Sequence, residues 1–386
     1  MDPALVHAAV AAAAGIIRTA GPRGDDGGMA PVQAPPRSLL APLTIRGRGR
    51  SVTFPVAALL APMDGITDPA FRGLVLDLGD AGGAVTEFLR LSSAPIGGSA
   101  IRRELGLRRP PVPVGIQFMT PGVDHLAVSV QNASQEGADW IDLNFGCPAK
   151  RVFNRCAGSA LLADPGKVEA IVAEAVSATD LPVSAKVRAG IDDDAHLEEV
   201  LDAAASGGAA MVTLHARLRR DSYAAPARWE WIARAAEFLR ARHPSVVLLG
   251  NGGIDSAGDA RRMAAETGCD GVMVGRAAFA DPFIFRRLRG GPPAGPAEAA
   301  GFALRYMDAV LAPGALRGGA GKVKQFVRYT SAGGFFEGRE EERVALLRSP
   351  GTESIRTFFS GCLEAPAPDA PSPLVDGTES PEGRLP

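Results

Sequence analysis

The sequence predicts an α/β fold: a closed (β/α)8, or TIM, barrel followed by a small all-helical C-terminal domain. Three features predict it. Short apolar runs recur eight times between Val56 and Gly275, mostly separated by helical stretches of about 10–15 residues, the pattern of parallel βα units. Eight such units in about 230 residues have the size of a closed barrel. Beyond the linker-like Gly290-Gly-Pro-Pro-Ala-Gly-Pro296, helical pattern continues without strand alternation. A doubly wound open sheet is the competing fold, and against it the first βα turn has no G-x-G-x-x-G.

Residues 1–50 are rich in Ala, Pro, Gly and Arg with no clear period, and read as disordered or weakly ordered. The apolar run 4–17 within them is too short to cross a bilayer and has no positive segment before it, unlike a signal peptide. The barrel is expected over 51–290. Its first strand, 56–61, is stopped by Pro62, and Asp68-Pro69 starts a helix with an N-cap carboxylate and proline at N1. Further strands are expected at 84–88, 112–118, 140–144, 182–188, 210–215, 245–250 and 270–275. Helices are expected at 124–137, closed by Gly137, at 164–178, opened by Asp164-Pro165, and at 196–205, 229–242 and 256–267. Helices at 297–311, 322–329 and 340–347 make up the domain 297–363, and the Pro/Ser/acid tail 364–386 reads as disordered.

Composition is ordinary for a globular chain, and a formal net charge of -2 gives no overall basic character. The four cysteines (Cys147, Cys156, Cys269, Cys362) are widely spaced, with no CxxC pair and no zinc-type spacing. That argues against a disulfide framework or a metal partner and suits a reducing cytoplasm. No run is long and apolar enough to imply a membrane partner, and a monomer is expected.

In a barrel, chemistry sits at the C-terminal ends of strands. Taken in order, those ends carry Pro62, Met63 and Asp64; Glu87 and Arg90; Gln117; Asn144 and Cys147; Lys186 and Arg188; His215; Asn251, Gly252 and Gly253; and Gly275 and Arg276. Polar groups at the ends of apolar strands cost stability if buried unpaired, so eight such ends imply a polar ligand. Asn251-Gly-Gly and Gly275-Arg276 expose backbone N–H groups at loops seven and eight, where barrels commonly hold phosphate; glycines also simply end strands. Lys186 inside an apolar strand needs an anionic partner, either a bound group or Glu87 or Asp142. His215 is either a ligand contact or a core histidine satisfied by its neighbours. Cys147, in a Gly-x-Pro loop at a strand end, is placed like a reactive thiol, with a buried turn cysteine as the plainer reading.

These residues resemble the tRNA-dihydrouridine synthase family, flavin-dependent reductases of uridine in tRNA. The resemblance rests on Ala61-Pro-Met-Asp-Gly-Ile-Thr-Asp-Pro-Ala-Phe-Arg72, Asp142-Leu-Asn-Phe-Gly-Cys-Pro-Ala-Lys150, Gly158-Ser-Ala-Leu-Leu162, Ser184-Ala-Lys-Val-Arg-Ala-Gly190, His215-Ala-Arg217 with Tyr223, Asn251-Gly-Gly-Ile254 and Met273-Val-Gly-Arg276. Thr86-Glu-Phe-Leu-Arg90 and Lys322-Val-Lys-Gln-Phe326 are similar to the bacterial subfamily acting on D-loop uridine 16.

The resemblance implies one FMN at the barrel mouth, lined by Pro62, Met63 and Asp64. It implies contacts of Gln117, Lys186 and His215 with the flavin, and of Asn251, Gly252, Gly253, Gly275 and Arg276 with its phosphate region. Cys147 is the implied general acid, NADPH the reductant, and Arg90, Asn144, Tyr223, Lys324 and Arg328 the implied tRNA contacts. Residues 286–348 hold eleven Lys/Arg against six Asp/Glu, which suits a tRNA clamp beside an acidic barrel, though arginine-rich helices are also ordinary solvated faces. Three positions depart from the family pattern: Cys156 and Gly253 replace a usual glycine and a common acidic residue, and Leu218 a threonine. Competing readings are a dihydroorotate dehydrogenase-like flavin barrel acting on a free pyrimidine, which needs no basic appendage, and a tRNA-binding protein without catalysis.

Overall fold

The computed structural model of the chain describes residues 38–106, 109–314 and 318–364. Strands β1 (Leu43–Arg46) and β2 (Ser51–Phe54) form an antiparallel hairpin. The barrel then runs through β3 (Ala58–Leu60), β4 (Gly83–Arg90), β5 (Val114–Met119), β6 (Trp140–Phe145), β7 (Val183–Gly190), β8 (Met211–Leu218), β9 (Val247–Asn251) and β10 (Gly271–Val274). Each strand pairs in parallel with the next, and β10 closes on β3, which rules out the open sheet.

Between the strands lie α1 (Pro69–Asp77), α2 (Gly98–Leu105), α3 (Leu126–Gln135), α4 (Lys150–Phe153), α5 (Pro165–Ser177), α6 (Leu197–Ser206), α7 (Glu230–Arg242) and α8 (Ala257–Thr267). After β10 come α9 (Arg276–Ala280) and α10 (Ile284–Leu288), then α11 (Pro296–Leu311), α12 (Gly319–Tyr329), α13 (Glu340–Arg348) and α14 (Glu353–Glu364). Among the described residues no helix is long and apolar enough to cross a membrane, and no group of His, Cys, Asp and Glu could hold a metal ion.

The helix starts have local causes. Asp68 Oδ1 accepts from the N–H groups of Ala70 and Phe71, both at 3.0 Å, with Pro69 next to it. Asp164 caps α5 in the same way through Lys167 N. The barrel floor is built on size alternation. Gly115 faces Trp140, and a Cβ on Gly115 would lie 2.3 Å from the indole. Phe54 of β2 meets that indole edge-on with centroids 5.1 Å apart, so the hairpin closes the bottom of the barrel.

The hairpin corrects one expectation. Residues 38–50 are ordered, so the boundary placed at residue 51 cuts through a β-hairpin. Its alternation (Leu43 and Ile45, then Val52 and Phe54 inward) is short and masked by the Arg/Gly-rich turn between. Residues 1–37 and the tail from 365, both expected to be disordered, lie outside the described residues. Helices α2, α4, α9, α10 and α14 lie where the sequence pattern suggests none; α14 ends the described C-terminal unit and buries Ile355 and Phe359.

Candidate active site

Strand β3 ends at Leu60, and the chain turns through Pro62, Met63 and Asp64. Thr67 pins this turn: its N–H donates to the Met63 carbonyl at 3.0 Å, and its Oγ1 accepts from Met63 N at 2.8 Å. Pro62 and Met63 are half-buried and Asp64 is exposed. Gly275, just past β10, brings the opposite edge in close, since a Cβ there would lie 3.3 Å from Met63 Sδ. Gly252 has φ +104°, and a Cβ on it would sit 2.8 Å from the His215 ring. Gly253 follows at φ +69° against Ala227 and Trp229. Only glycines let the loop after β9 turn this way directly against the imidazole.

Inward-facing residues recur at every second strand position, so Lys186 and Arg188 of β7 stand beside His215 and Arg217 of β8. Lys186 Nζ donates to Asn251 Oδ1 at 3.1 Å rather than to Glu87 or Asp142, and Asn251 Nδ2 donates to the Met273 carbonyl at 2.7 Å. Burial, helped by Arg188 and opposed by Asp142, lowers Lys186 to about 8. Arg217 Nη1 lies 3.0 Å from His215 Nε2. A guanidinium only donates, so Nε2 accepts and the imidazole proton resides on Nδ1. Burial first, then Arg188, Lys186, Arg217 and Arg276, holds His215 well below its ordinary value, and it is neutral. Burial, then Arg276 and Arg188, brings Arg217 down to about 10. Tyr223 closes over this group, with Arg188 at 5.5 Å and Arg276 at 6.0 Å from its ring centroid and His215 stacked at 6.4 Å. Buried cations that depress one another's charge call for an anion. With the side-chain-free surface at Gly252 and Gly275 beside them, these residues fit a phosphate-bearing cofactor.

On the adjoining strand, Asn144 Oδ1 accepts from the N–H groups of Gly146 and Cys147, both at 3.0 Å, an Asx turn that ends β6. Arg188 Nε donates to the Gly146 carbonyl at 2.8 Å. Ser159 donates to the Cys147 carbonyl from its Oγ at 2.8 Å and its N at 3.2 Å. Cys147 is thus held through its backbone on both sides. Its half-buried side chain packs against Met119, Val152 and Ala157. Burial pushes the thiol up, so it stays protonated at neutral pH.

A model of the family described as Dihydrouridine synthase (Dus) matches residues 59–306. The chain belongs to this family. It is 34% identical over 284 residues to the tRNA-dihydrouridine(16) synthase of Ralstonia nicotianae, covering 70% of this chain and 86% of that protein. It is 36% identical over 239 residues to the tRNA-dihydrouridine(16) synthase of Cupriavidus necator, covering 60% of this chain and 73% of that protein. It is also 37% identical over 237 residues to the tRNA-dihydrouridine synthase B of Pseudomonas aeruginosa, covering 61% of this chain and 70% of that protein.

Within this dihydrouridine synthase chain, most of the strand-end residues read from the sequence meet at one mouth. Arg188 and Arg217 were not assigned a binding role there. The signal was available: they repeat, two positions on, the inward placement of Lys186 and His215. Arg90 is half-buried at the end of β4, where burial first and then Arg155 and Arg151 disfavour its charge; these two exposed arginines extend a basic rim beside the thiol. Glu87 is a carboxyl that burial pushes up to about 7, against an N–H bond from Gly65, and its Oε1 has no hydrogen-bond partner. In the C-terminal unit, Lys324 turns inward and donates to the Ser349 carbonyl at 2.7 Å at the end of α13, whereas Arg328 on the same helix is exposed.

Proposed function

We propose that this protein reduces the C5–C6 double bond of uridine 16 in the tRNA D-loop to 5,6-dihydrouridine, acting as a cytoplasmic monomer. The observation that carries the reading is a protonated thiol, Cys147, fixed by backbone bonds just past the end of β6, beside a group of buried cations that depress one another's charge. FMN held at the mouth would supply the hydride that goes to C6, with NADPH as the reductant that returns the flavin to its reduced form.

Each remaining role falls to a side chain of this chain. Arg276 with the Asn251–Gly253 and Gly275 backbone holds the phosphate region. Pro62, Met63 and Asp64 line the flavin, and Gln117, Lys186 and neutral His215 orient it. As negative charge develops on the uracil, Cys147 Sγ gives its proton to C5 and is left as thiolate, to be reprotonated from solvent. Asn144, Arg90 and Tyr223 receive the target base, which must leave the RNA stack to reach the mouth. The exposed Arg328 and the basic character of the C-terminal unit support tRNA docking through its phosphates, and Lys324 contributes by fixing the end of α13.

Mass-spectrometric mapping of dihydrouridine in tRNA from cells with and without the gene tests the activity. Loss at position 16 alone is expected. No loss at any position, followed by inactivity of the purified protein on unmodified tRNA, would end this reading. For the thiol, Cys147→Ala is expected to retain flavin and lose roughly 10²- to 10⁴-fold in turnover. An undiminished rate would remove it as the acid.

A further inference from the structure

Asp142 is a buried carboxylate that the chemistry above does not use. It lies wholly inside the barrel on β6, between Gln117 of β5 and Ser184 of β7. Gln117 Nε2 donates to its Oδ2 at 2.7 Å, and Ser184 Oγ donates to its Oδ1. An ionised carboxylate only accepts, so Gln117 must turn its NH2 group toward Asp142 and its oxygen away. That oxygen accepts from Asn144 Nδ2 at 2.8 Å. Asn144 is then obliged to present its own oxygen to the turn beyond the strand, where it takes the N–H groups of Gly146 and Cys147. Each amide is oriented by the group before it, and the direction of the series is set at its inner end.

We propose that Asp142 is a positioning residue for Cys147: its carboxylate orients the Gln117 and Asn144 amides, and through them the backbone turn that places the thiol. A donor at position 142 would turn Gln117 round, then Asn144, and aim an NH2 group at two N–H groups that need an acceptor. The turn would be released.

The surroundings keep the carboxylate charged at neutral pH. Burial pushes Asp142 up to about 6, while the Gln117 amide from β5 and the Ser184 hydroxyl and Lys186 ammonium from β7 favour the ionised form. On its own strand, the Trp140 indole donates to Ser184 Oγ at 3.1 Å, which leaves that hydroxyl free to donate to Asp142.

The proposal rests on the assignment of Cys147 as proton donor, and the test is chosen to separate the two. In the flavin-loaded enzyme with unmodified tRNA, Asp142→Leu is expected to lower kcat roughly 10- to 100-fold. KM for tRNA should stay nearly unchanged. The double variant with Asn144→Ala is expected to be no slower than Asn144→Ala alone, because the two act in series. Multiplying effects would overturn the proposal.

Asp142→Asn keeps the shape and guards against a folding defect. Its oxygen can still accept from Gln117 while its NH2 group bonds Ser184, so it should retain most of the native kcat at pH 7.5. A kcat as low as that of Asp142→Leu would overturn the proposal. Iodoacetamide labelling of the Cys147 peptide, read by mass spectrometry without tRNA, reports on thiol placement whatever the thiol does in turnover. A rate severalfold different in Asp142→Leu is expected, and an unchanged rate would refute positioning even if Cys147→Ala proved inactive.

Discussion

Cys156 holds a left-handed backbone at φ 52°, which among the described non-glycine residues only His125 shares. An L side chain there costs roughly 1–2 kcal/mol because Cβ crowds the next carbonyl. Family resemblance puts glycine at this position, so the strain comes with the cysteine and not with the loop. Cys156→Gly should therefore stabilise the protein by about 1 kcal/mol in urea unfolding, the gain being reduced by the larger freedom of unfolded glycine. Dihydrouridine formation should not change; a lower midpoint would show that the exposed thiol makes a contact worth more than the strain. Glu87 carries a different cost. Burial raises it from 4.5 to about 7, so the folded chain binds this proton more tightly than the unfolded one. The contribution to stability is fully present below pH 4.5 and is lost as pH climbs to 7. At about 1.4 kcal/mol per pH unit the loss is about 3 kcal/mol, less whatever solvent screens at this half-buried group. Glu87→Gln is expected to raise Tm clearly at pH 8 and little at pH 5. An equal gain at both values would mean that the carboxyl ionises normally in the fold.

The loop between β3 and α1 is an element held from outside the barrel. Lys322 of α12 places Nζ 2.8 Å from Asp68 Oδ2, and Tyr306 of α11 donates its hydroxyl to the same oxygen at 3.2 Å. The other oxygen caps α1. The C-terminal helices thus complete the cap of the first barrel helix, next to the turn carrying Met63 and Asp64. Removing one partner of a buried pair strands the other charge, so Lys322→Met should cost about 3 kcal/mol. It should also weaken flavin retention, and Lys322→Arg should restore much of both; a methionine variant as stable as the native chain would show that Tyr306 and the two N–H groups suffice. This element also marks how far the sequence could be read. Asp68-Pro69 was legible as a helix start because capping is local, and the barrel strands because each apolar run is bounded by turn residues. The pairing of Asp68 with Lys322 was not, since nothing local names a partner that far along the chain. The residues Gln117, Asp142 and Asn144 were visible near strand ends, but their bonds depend on the register between β5 and β6, which no single strand encodes. Lys324 looked like an RNA contact from its motif; only the packing of α12 on α13 shows its ammonium turned to the Ser349 carbonyl.

At the scale of the molecule, the Gly/Pro run at 290–296 looks like a boundary between a barrel and a separate domain, and the packing does not respect it. Phe71 of α1 meets Phe279 of α9 at 5.0 Å, Phe302 of α11 at 5.9 Å and Tyr306 at 5.7 Å between centroids. Phe326 of α12 packs on Phe279, Phe302 and Tyr306 in turn. The hydrophobic core runs without a break from the barrel strands into these helices. The C-terminal helices have a small aromatic cluster of their own in Phe335, Phe336, Phe358 and Phe359, but the greater part of their core is continuous with that of the barrel, so they should not remain folded once it opens. All three tryptophans, Trp140, Trp229 and Trp231, belong to the barrel part, so their fluorescence follows that part alone. Pulsed hydrogen exchange of peptides from α12 and α14 follows the C-terminal unit. Along a urea titration the two signals are expected to share one midpoint. Earlier loss of protection in α12 and α14 would make the C-terminal helices an independent unit, and would imply that the basic surface can swing against the mouth. Coincidence would instead fix that surface rigidly to the mouth, so that docking of the tRNA body and delivery of its uridine share one geometry.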